Sequence, residues 1–287
     1  MRTYPALEIT WPAPPTEERI GLILAAIDDE GPIAVETTDS AVRVYFPTAT
    51  ARGRAATRLI RAESEATCTP VDIPDEDWAE RSQTALGPVT VGAITIAPPS
   101  VDRATLSGLV IWIRPSMGFG TGHHASTRLM LAFVERASVV GRSVVDVGTG
   151  SGVLALSALA LGARDVVAID VDPDALASAR ENVGLNQAAD HVVFVEADLA
   201  QAPARLSRTF DVVLANLTGA AIGRYAGELR ALAAAGGRLI VSGFQDDEAQ
   251  AVASALDAAG WTVTDRVIEE GWVGLTATAS PTPTTGR

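Results

Sequence analysis

The chain has 287 residues, enough for one large domain or two of ordinary size at roughly 100–200 residues each. Hydrophobic residues make up 47% and charged residues 20%, which supports a packed core and excludes global disorder. The net charge of −13 argues against a duplex-nucleic-acid binder, because displacing phosphate counterions takes a basic surface; all 22 basic residues are arginine. No apolar run reaches ~18 residues without a charge or a helix breaker, and Met1-Arg2-Thr3-Tyr4-Pro5 lacks a signal-peptide core. A soluble cytoplasmic protein without membrane contact is expected. The lone Cys68 can neither form an internal disulfide nor anchor a thiolate metal cluster.

Residues 1–73 read as a small α+β domain. A strand around Leu7 and Ile9 ends in the Pro-rich turn at residues 12–15; Thr16 then caps a helix with Ile20, Ile23, Leu24 and Ile27 on one face. Gly31-Pro32 stops it. Short strands at 33–35 and 42–46, a helix over 49–66 and a strand at Val71 and Ile73 complete the order β-α-β-β-α-β, the split βαβ or ferredoxin-like arrangement. The spacing of Arg52, Arg54, Arg58 and Arg61 predicts a solvated helix face. Residues 74–109, rich in Pro, Gly, Asp and Ser, read as a linker with a short helix and one strand.

Residues 110–279 change character. Apolar runs at 144–147, 166–169, 192–195, 212–215 and 239–241 alternate with Ala/Leu-rich helices, predicting a mostly parallel sheet covered on both faces. The last two strands, 263–267 and 273–278, have no helix between them and should form an antiparallel hairpin. Residues 280–287 read as a disordered tail.

The first strand of that sheet runs straight into Gly148-Thr149-Gly150-Ser151-Gly152 and then a helical run from Val153. Gly148, Gly150 and Gly152 let backbone approach a ligand at the strand's carboxyl end, where the helix N-terminus adds polarised N–H groups. The dinucleotide fingerprint G-x-G-x-x-G fails, because Val153 stands where its third glycine belongs. The next strand ends in Asp170, 22 residues beyond Gly148, where a carboxylate can accept from both hydroxyls of an adenosine ribose. Together these features point to S-adenosylmethionine; the alternative is a tight turn followed by a helix cap. Asp172, before Pro173, is the better cap. Asp198 after the third strand could accept from an adenine amine, or be a solvated loop acid. Asn216 ends the fourth strand, where its amide could orient an amine and bond the cofactor's amino-acid moiety.

Upstream, Phe119-Gly120-Thr121-Gly122-His123-His124-Ala125-Ser126-Thr127 leads into an amphipathic run with Leu129, Met130, Phe133 and Val134. Ser126 or Thr127 is expected to cap that helix. His191 is the only other histidine, which leaves no set of metal ligands, and no G-x-S-x-G elbow supports a hydrolase.

That loop, the segment Asp146-Val147-Gly148-Thr149-Gly150-Ser151-Gly152-Val153-Leu154-Ala155, the run Asp170-Val171-Asp172-Pro173 and Ala215-Asn216-Leu217 together resemble the PrmA-type ribosomal protein methyltransferases. Asp77-Trp78 and Trp272-Val273 match family positions too. The resemblance covers nearly the whole chain. It implies a class I S-adenosylmethionine-dependent (Rossmann-like) domain preceded by a ferredoxin-like domain that recruits the substrate. The implied activity is methylation of amino groups, on lysine side chains or the N-terminus, of protein eleven at the large-subunit stalk base. It further implies Thr127, Gly148, Asp170 and Asn216 as cofactor ligands, with Thr121 and His124 lining the cleft. Asn216, Thr121 and His124 are the catalytic candidates, with no metal, no direct nucleic-acid contact and a monomeric enzyme expected. Rival readings are a methyltransferase of the same fold acting on another protein or a small-molecule amine, a nucleic-acid methyltransferase, and a silent cofactor-binding scaffold.

Overall fold

A computed structural model describes residues 3–74, apart from 13–15, 17–18, 21–22, 24–25, 28–29, 32–33, 38–40 and 63–65, and then residues 87–114 and 123–280. The chain divides into two compact units, Met1–Ala85 and Leu86–Arg287.

In the first unit, β1 (Thr3–Thr10), β2 (Ala34–Thr37), β3 (Ala41–Tyr45) and β4 (Thr67–Pro74) form one sheet in the order β2-β3-β1-β4, and α1 spans Ala49–Ala62. Every pairing is antiparallel; β1 and β4 are in register from Thr3↔Pro74 to Thr10↔Thr67. Alternate residues Leu7 and Ile9, Val42 and Val44 face Ala51, Ala55 and Leu59, which recur every fourth residue along α1, and Ile23 and Ile27 join this core. The helix expected between β1 and β2 lies largely outside the described residues, so the ferredoxin-like reading stays an expectation. Arg54 and Arg58 are exposed, as the solvated-face reading expects, and Arg52 is half-buried; all three are also engaged in ion pairs, Arg52 with Asp72 at 2.5 Å, and Arg54 and Arg58 with the buried Glu30 at 2.6 and 3.3 Å. A buried carboxylate needs such partners, and helical spacing alone does not reveal them. The side chain of Arg61 lies outside the description.

In the second unit the expectation of a linker over 74–109 gives way to structure. Strands β5 (Val89–Val91), β6 (Ile94–Ala97) and β7 (Leu109–Trp112) form a three-stranded sheet. Turns at Gly92 and Gly108 make it possible: both have positive φ, and a Cβ on Gly108 would lie 2.5 Å from the Ala93 carbonyl oxygen. Turn-rich composition therefore marked short strands whose Ile94, Ile96, Ile111 and Ile113 are buried in the main core.

The main sheet has seven strands: β8 (Ser143–Val147), β9 (Asp165–Asp170), β10 (Val192–Glu196), β11 (Phe210–Asn216), β12 (Ala233–Gln245), β13 (Trp261–Glu269) and β14 (Trp272–Ala279). Their order is β10-β9-β8-β11-β12-β14-β13, with only β14 antiparallel to its neighbours, so the predicted final hairpin is present. Helices α2 (Ala125–Arg136), α3 (Val153–Ala160), α4 (Pro173–Leu185), α5 (Ala202–Leu206), α6 (Gly219–Arg224), α7 (Ala226–Leu232) and α8 (Ala249–Ala258) accompany it. The pleat sorts the strand residues into two layers. Val145, Val147, Val213, Ala215, Leu239 and Val241 pack in one core, and Val144, Val212, Leu214 and Ile240 in the other. Ser280, assigned to the tail, is held: its N–H donates to Gly260 O, and its carbonyl accepts from Arg230 at 2.6 Å. Residues 281–287 lie outside the described part.

Two asparagines of α4 and its C-cap tie β7 to this sheet. Asn182, fully buried, accepts from Arg114 N–H at 2.7 Å and donates to Ser151 O at 2.9 Å. Asn186 accepts from Trp112 N–H at 2.8 Å and donates to Trp112 O at 2.7 Å. Replacing Asn182 by Ala strands the buried Ser151 C=O and removes the partner of the part-buried Arg114 N–H, so Asn182→Ala is expected to lower unfolding free energy by about 1–3 kcal/mol. Urea denaturation would register this as a lower midpoint at unchanged slope.

Candidate active site

The site forms at the carboxyl ends of β8, β9 and β11, where an open, mostly parallel sheet leaves a crevice. After Val147 the chain turns through Gly148, Gly150 and Gly152 at φ of 69°, 53° and 80°, values strongly disfavoured for other residues. A Cβ on Gly148 would lie 2.6 Å from Leu217 Cδ2. Gly148 and Thr149 donate to Ile169 O, Gly152 donates to Thr149 O, and Gly150 donates to Asp170 Oδ2 at 3.0 Å. With those four N–H groups satisfied internally, the turn admits a ligand by close approach and is a poor cradle for a pyrophosphate. The failed dinucleotide spacing agrees with this.

Asp170 also accepts from Asp172 N–H through Oδ1 at 3.0 Å, and each carboxylate oxygen keeps a lone pair for a further donor. Asp172 caps α4 by accepting from Asp174 N–H at 2.9 Å, as the sequence predicted. Gly148, Asp170, Asp198, Leu217 and Tyr225 line a cleft of about 200 Å³. Asp198 is an exposed loop acid on its rim, accepting from Ala200 N–H.

Beneath the turn lies Asp146, fully buried. Its Oδ2 accepts from Thr149 Oγ1–H at 2.7 Å and Ala155 N–H at 3.1 Å; Oδ1 has no partner. Burial, only partly opposed by these two donors, pushes its carboxyl up to about 6. Sequence reading gave Asp146 no role, although a lone acid inside a valine strand is itself a signal.

On the other side of the site His124 caps α2 by accepting from Ser126 N–H; Ser126 and Thr127, predicted as caps, are instead buried in the first turn. A ring nitrogen one residue ahead of the helix can reach its free N–H groups, so the hydroxyls are released for other contacts. His124 Nδ1 lies 2.8 Å from Ser126 Oγ, and Asn216 Nδ2 donates to that Oγ at 3.4 Å. The His124 ring meets Trp272 edge-on, with centroids 4.4 Å apart. Arg128 holds the hairpin tip through Glu269 at 2.6 Å and Glu270 at 2.9 Å, which keeps its guanidinium charged. The structure thus groups His124 with Asn216, and Gly148, Gly150 and Asp170 with each other. Thr121 lies outside the described residues. Ser126 and Trp272 were noted in the sequence only as a helix cap and a matching family position, and Tyr225 was not anticipated, because nothing in its local spacing marks it.

Among the described residues of this unit, the buried side-chain polar atoms lacking a partner are His123 Nδ1, Asp146 Oδ1 and Asn216 Oδ1. Orphaned groups are costly, and Asn216 Oδ1 stands at the end of β11, on the carboxyl edge of the sheet where the glycine turn and Asp170 also lie. The model of the ribosomal protein L11 methyltransferase (PrmA) family matches residues 25–280. The chain belongs to that family. A ribosomal protein L11 methyltransferase of Pelotomaculum thermopropionicum is 39% identical over 222 residues, covering 77% of this chain and 71% of its own. One from Geobacter sulfurreducens is likewise 39% identical over 222 residues, covering 73% and 72%. The crystal structure of a ribosomal protein L11 methylase from Lactobacillus delbrueckii subsp. bulgaricus superposes with a TM-score of 0.62 at 26% identity, covering 68% of this chain and all of the other. The fold is that of the class I S-adenosylmethionine-dependent methyltransferases, and S-adenosylmethionine is the cofactor. The residues present fit it: Asp170 at the end of β9 keeps a free lone pair on each carboxylate oxygen, as ribose hydroxyls would need, and the glycine turn carries no bulk to block close approach.

Replacing Asp170 by Ala is expected to weaken S-adenosylmethionine binding by about 1.5–3 kcal/mol, as for hydrogen bonds involving a charged group. Calorimetry on the folded variant would measure it. Asp146 titrates higher folded than unfolded, so the native state binds more protons across the interval from pH 4 to 6. Its contribution to stability therefore falls as pH rises through that interval and stays low above about 6, by on the order of 3 kcal/mol in total. Thermal melting of wild type and Asp146→Asn from pH 4 to 7 should show the wild type losing stability relative to the variant as pH rises.

Proposed function

We propose that the chain transfers methyl groups from S-adenosylmethionine to amino groups of ribosomal protein L11, on lysine side chains or the N-terminus, in the cytoplasm. The observation that carries this reading is the unpaired, buried Asn216 Oδ1 at the end of β11, an acceptor placed for an N–H donor. Bound S-adenosylmethionine supplies a methyl group on a positively charged sulfur, already activated for transfer. The protein's task is to hold a neutral amine in line and keep water out. A lysine with an ordinary value of ~10.4 arrives charged, and it must lose a proton to water before its nitrogen can attack. Asn216 Oδ1 then accepts one amine N–H and leaves the nitrogen lone pair free to attack. The amide does this without acting as a base.

Thr127 and Asp170 are read as cofactor contacts together with Gly148, Gly150 and Gly152. Thr121 and His124 are read as lining the amine's approach. The first unit, residues 1–85, is read as the recruiter of L11: it has a core of its own and contributes none of the glycine-turn or strand-end groups. Such a module raises the local concentration of a macromolecular substrate. No direct nucleic-acid contact is part of this reading, and a monomer suffices for it.

Incubation with labelled S-adenosylmethionine and a panel of ribosomal proteins and metabolite amines tests the substrate; label on L11 alone supports it, and label on a small amine overturns it. Because the chain contains no lysine, side-chain amine label cannot arise from self-methylation. Asn216→Ala is expected to lower kcat by about tenfold to a hundredfold while cofactor affinity changes by less than about threefold, since the lost contact acts on geometry. Equal losses in both would make Asn216 a simple cofactor ligand. A chain starting at residue 86 should still bind S-adenosylmethionine yet lose methylation of intact L11; full-length rates from it would sink the recruiter assignment.

A further inference from the structure

Ser126 lies at the second position of α2, buried, with three polar contacts to His124 and Asn216 whose donor and acceptor roles are fixed in sequence. Its main-chain N–H points at His124 Nδ1 at 3.4 Å, so that nitrogen is an acceptor. Ser126 Oγ sits 2.8 Å from the same nitrogen and therefore gives it the hydroxyl's single proton. What Oγ has left is lone pairs. In the third contact Asn216 must then present Nδ2–H, as found at 3.4 Å. The flipped amide would set Oδ1 against an oxygen with no proton to offer. The edge-on Trp272 ring, and the hairpin tip anchored by Arg128, hold the imidazole in place.

We infer that Ser126 is a positioning residue for methyl transfer: through the relay His124–Ser126–Asn216 it selects the amide orientation that turns Oδ1, not Nδ2, toward the incoming amine. The distinction is chemical. Oδ1 accepts an amine N–H and leaves the lone pair free; Nδ2 would donate to that lone pair and occupy the electrons that must form the new C–N bond. This rests on the reading of Asn216 as the amine's acceptor, whereas the relay itself belongs to the protein alone.

The test therefore has one arm with substrate and one without. With L11 and S-adenosylmethionine, Ser126→Ala should lower kcat by about tenfold with the KM for S-adenosylmethionine within about twofold, Ser126→Thr should restore most of the rate, and Ser126→Ala should add nothing in an Asn216→Ala background. Wild-type kcat in a folded Ser126→Ala enzyme, or a loss fully additive with Asn216→Ala, overturns the inference. Without substrate, the side-chain amide ¹⁵N–¹H signal of Asn216, identified by its absence in Asn216→Ala, should shift in Ser126→Ala and return in Ser126→Thr. An unmoved signal overturns the relay whatever the enzyme does to L11. A wild-type protein that leaves L11 unlabelled, together with the shift in Ser126→Ala, counts against the substrate reading and in favour of the relay.

Discussion

A carboxylate with no exposure to solvent sits near the end of strand β8, and the geometry of the glycine turn is organised around it. Asp146 gathers the Thr149 hydroxyl on one side of the glycine turn and the Ala155 N–H in the first turn of α3, so a single oxygen spans the joint between loop and helix. Burying that charge is unfavourable, and two donors offset it only in part. The residual cost appears as a carboxyl pushed up to about 6 and an Oδ1 with no partner. A fold optimised for stability alone would place a valine here, as at Val144, Val145 and Val147. Retaining an acid makes the turn less stable than it could be, and in return one side chain ties the loop to the first turn of α3.

The rest of the unit keeps that turn from relaxing. From the side of β9, Asp170 holds Gly150 N–H; from α4, Asn182 holds Ser151 O, and Ala179 lies close enough that a Cβ on Gly152 would stand 3.2 Å from its own Cβ. From β12, Gly243 at φ 100° lets the β11 end approach, since a Cβ there would fall 2.4 Å from Leu217 O and 3.0 Å from Asn216 Oδ1. Fixed groups of this kind are what in-line transfer requires, because a small displacement of the nucleophile costs rate steeply. At Gly148, Gly152 and Gly243 the positive φ coincides with a close approach of neighbouring atoms, and glycine meets both requirements at no steric cost.

Where sequence and structure agree, the signal was a period or a spacing. The buried strands of the main sheet, the turn Gly148–Gly152, Asp170 at the end of β9, the Asp172 cap and Asn216 at the end of β11 are all local patterns. Where they part, the deciding contact is long-range. Residues 89–112 look like a connector because their strands are only three or four residues long; burial against α2 and α3 makes them a sheet. Ser126 looks like a helix cap until His124 takes that place, and its actual partner Asn216 is 90 residues away. The Arg54 and Arg58 pairing to Glu30 was invisible for the same reason: the acid comes from an earlier segment.

The same ion pairs bear on how a protein substrate would be drawn in. With Arg52, Arg54 and Arg58 on internal carboxylates, and Arg43 bridging Glu8 and Glu36, these arginines of the first unit are already committed to neighbours within it. What reaches solvent at long range is the excess of acid, and residues 1–81 carry 8 arginines against 15 acids. A substrate that offers lysines for methylation is positively charged at those sites, so it meets an attractive field before any contact forms. Such a field accelerates encounter and weakens beyond a Debye length of about 8 Å at physiological salt, without fixing which lysine enters. Selection of the amine then falls to short-range contacts, and only a nitrogen that has given up its proton has the lone pair that methyl transfer requires.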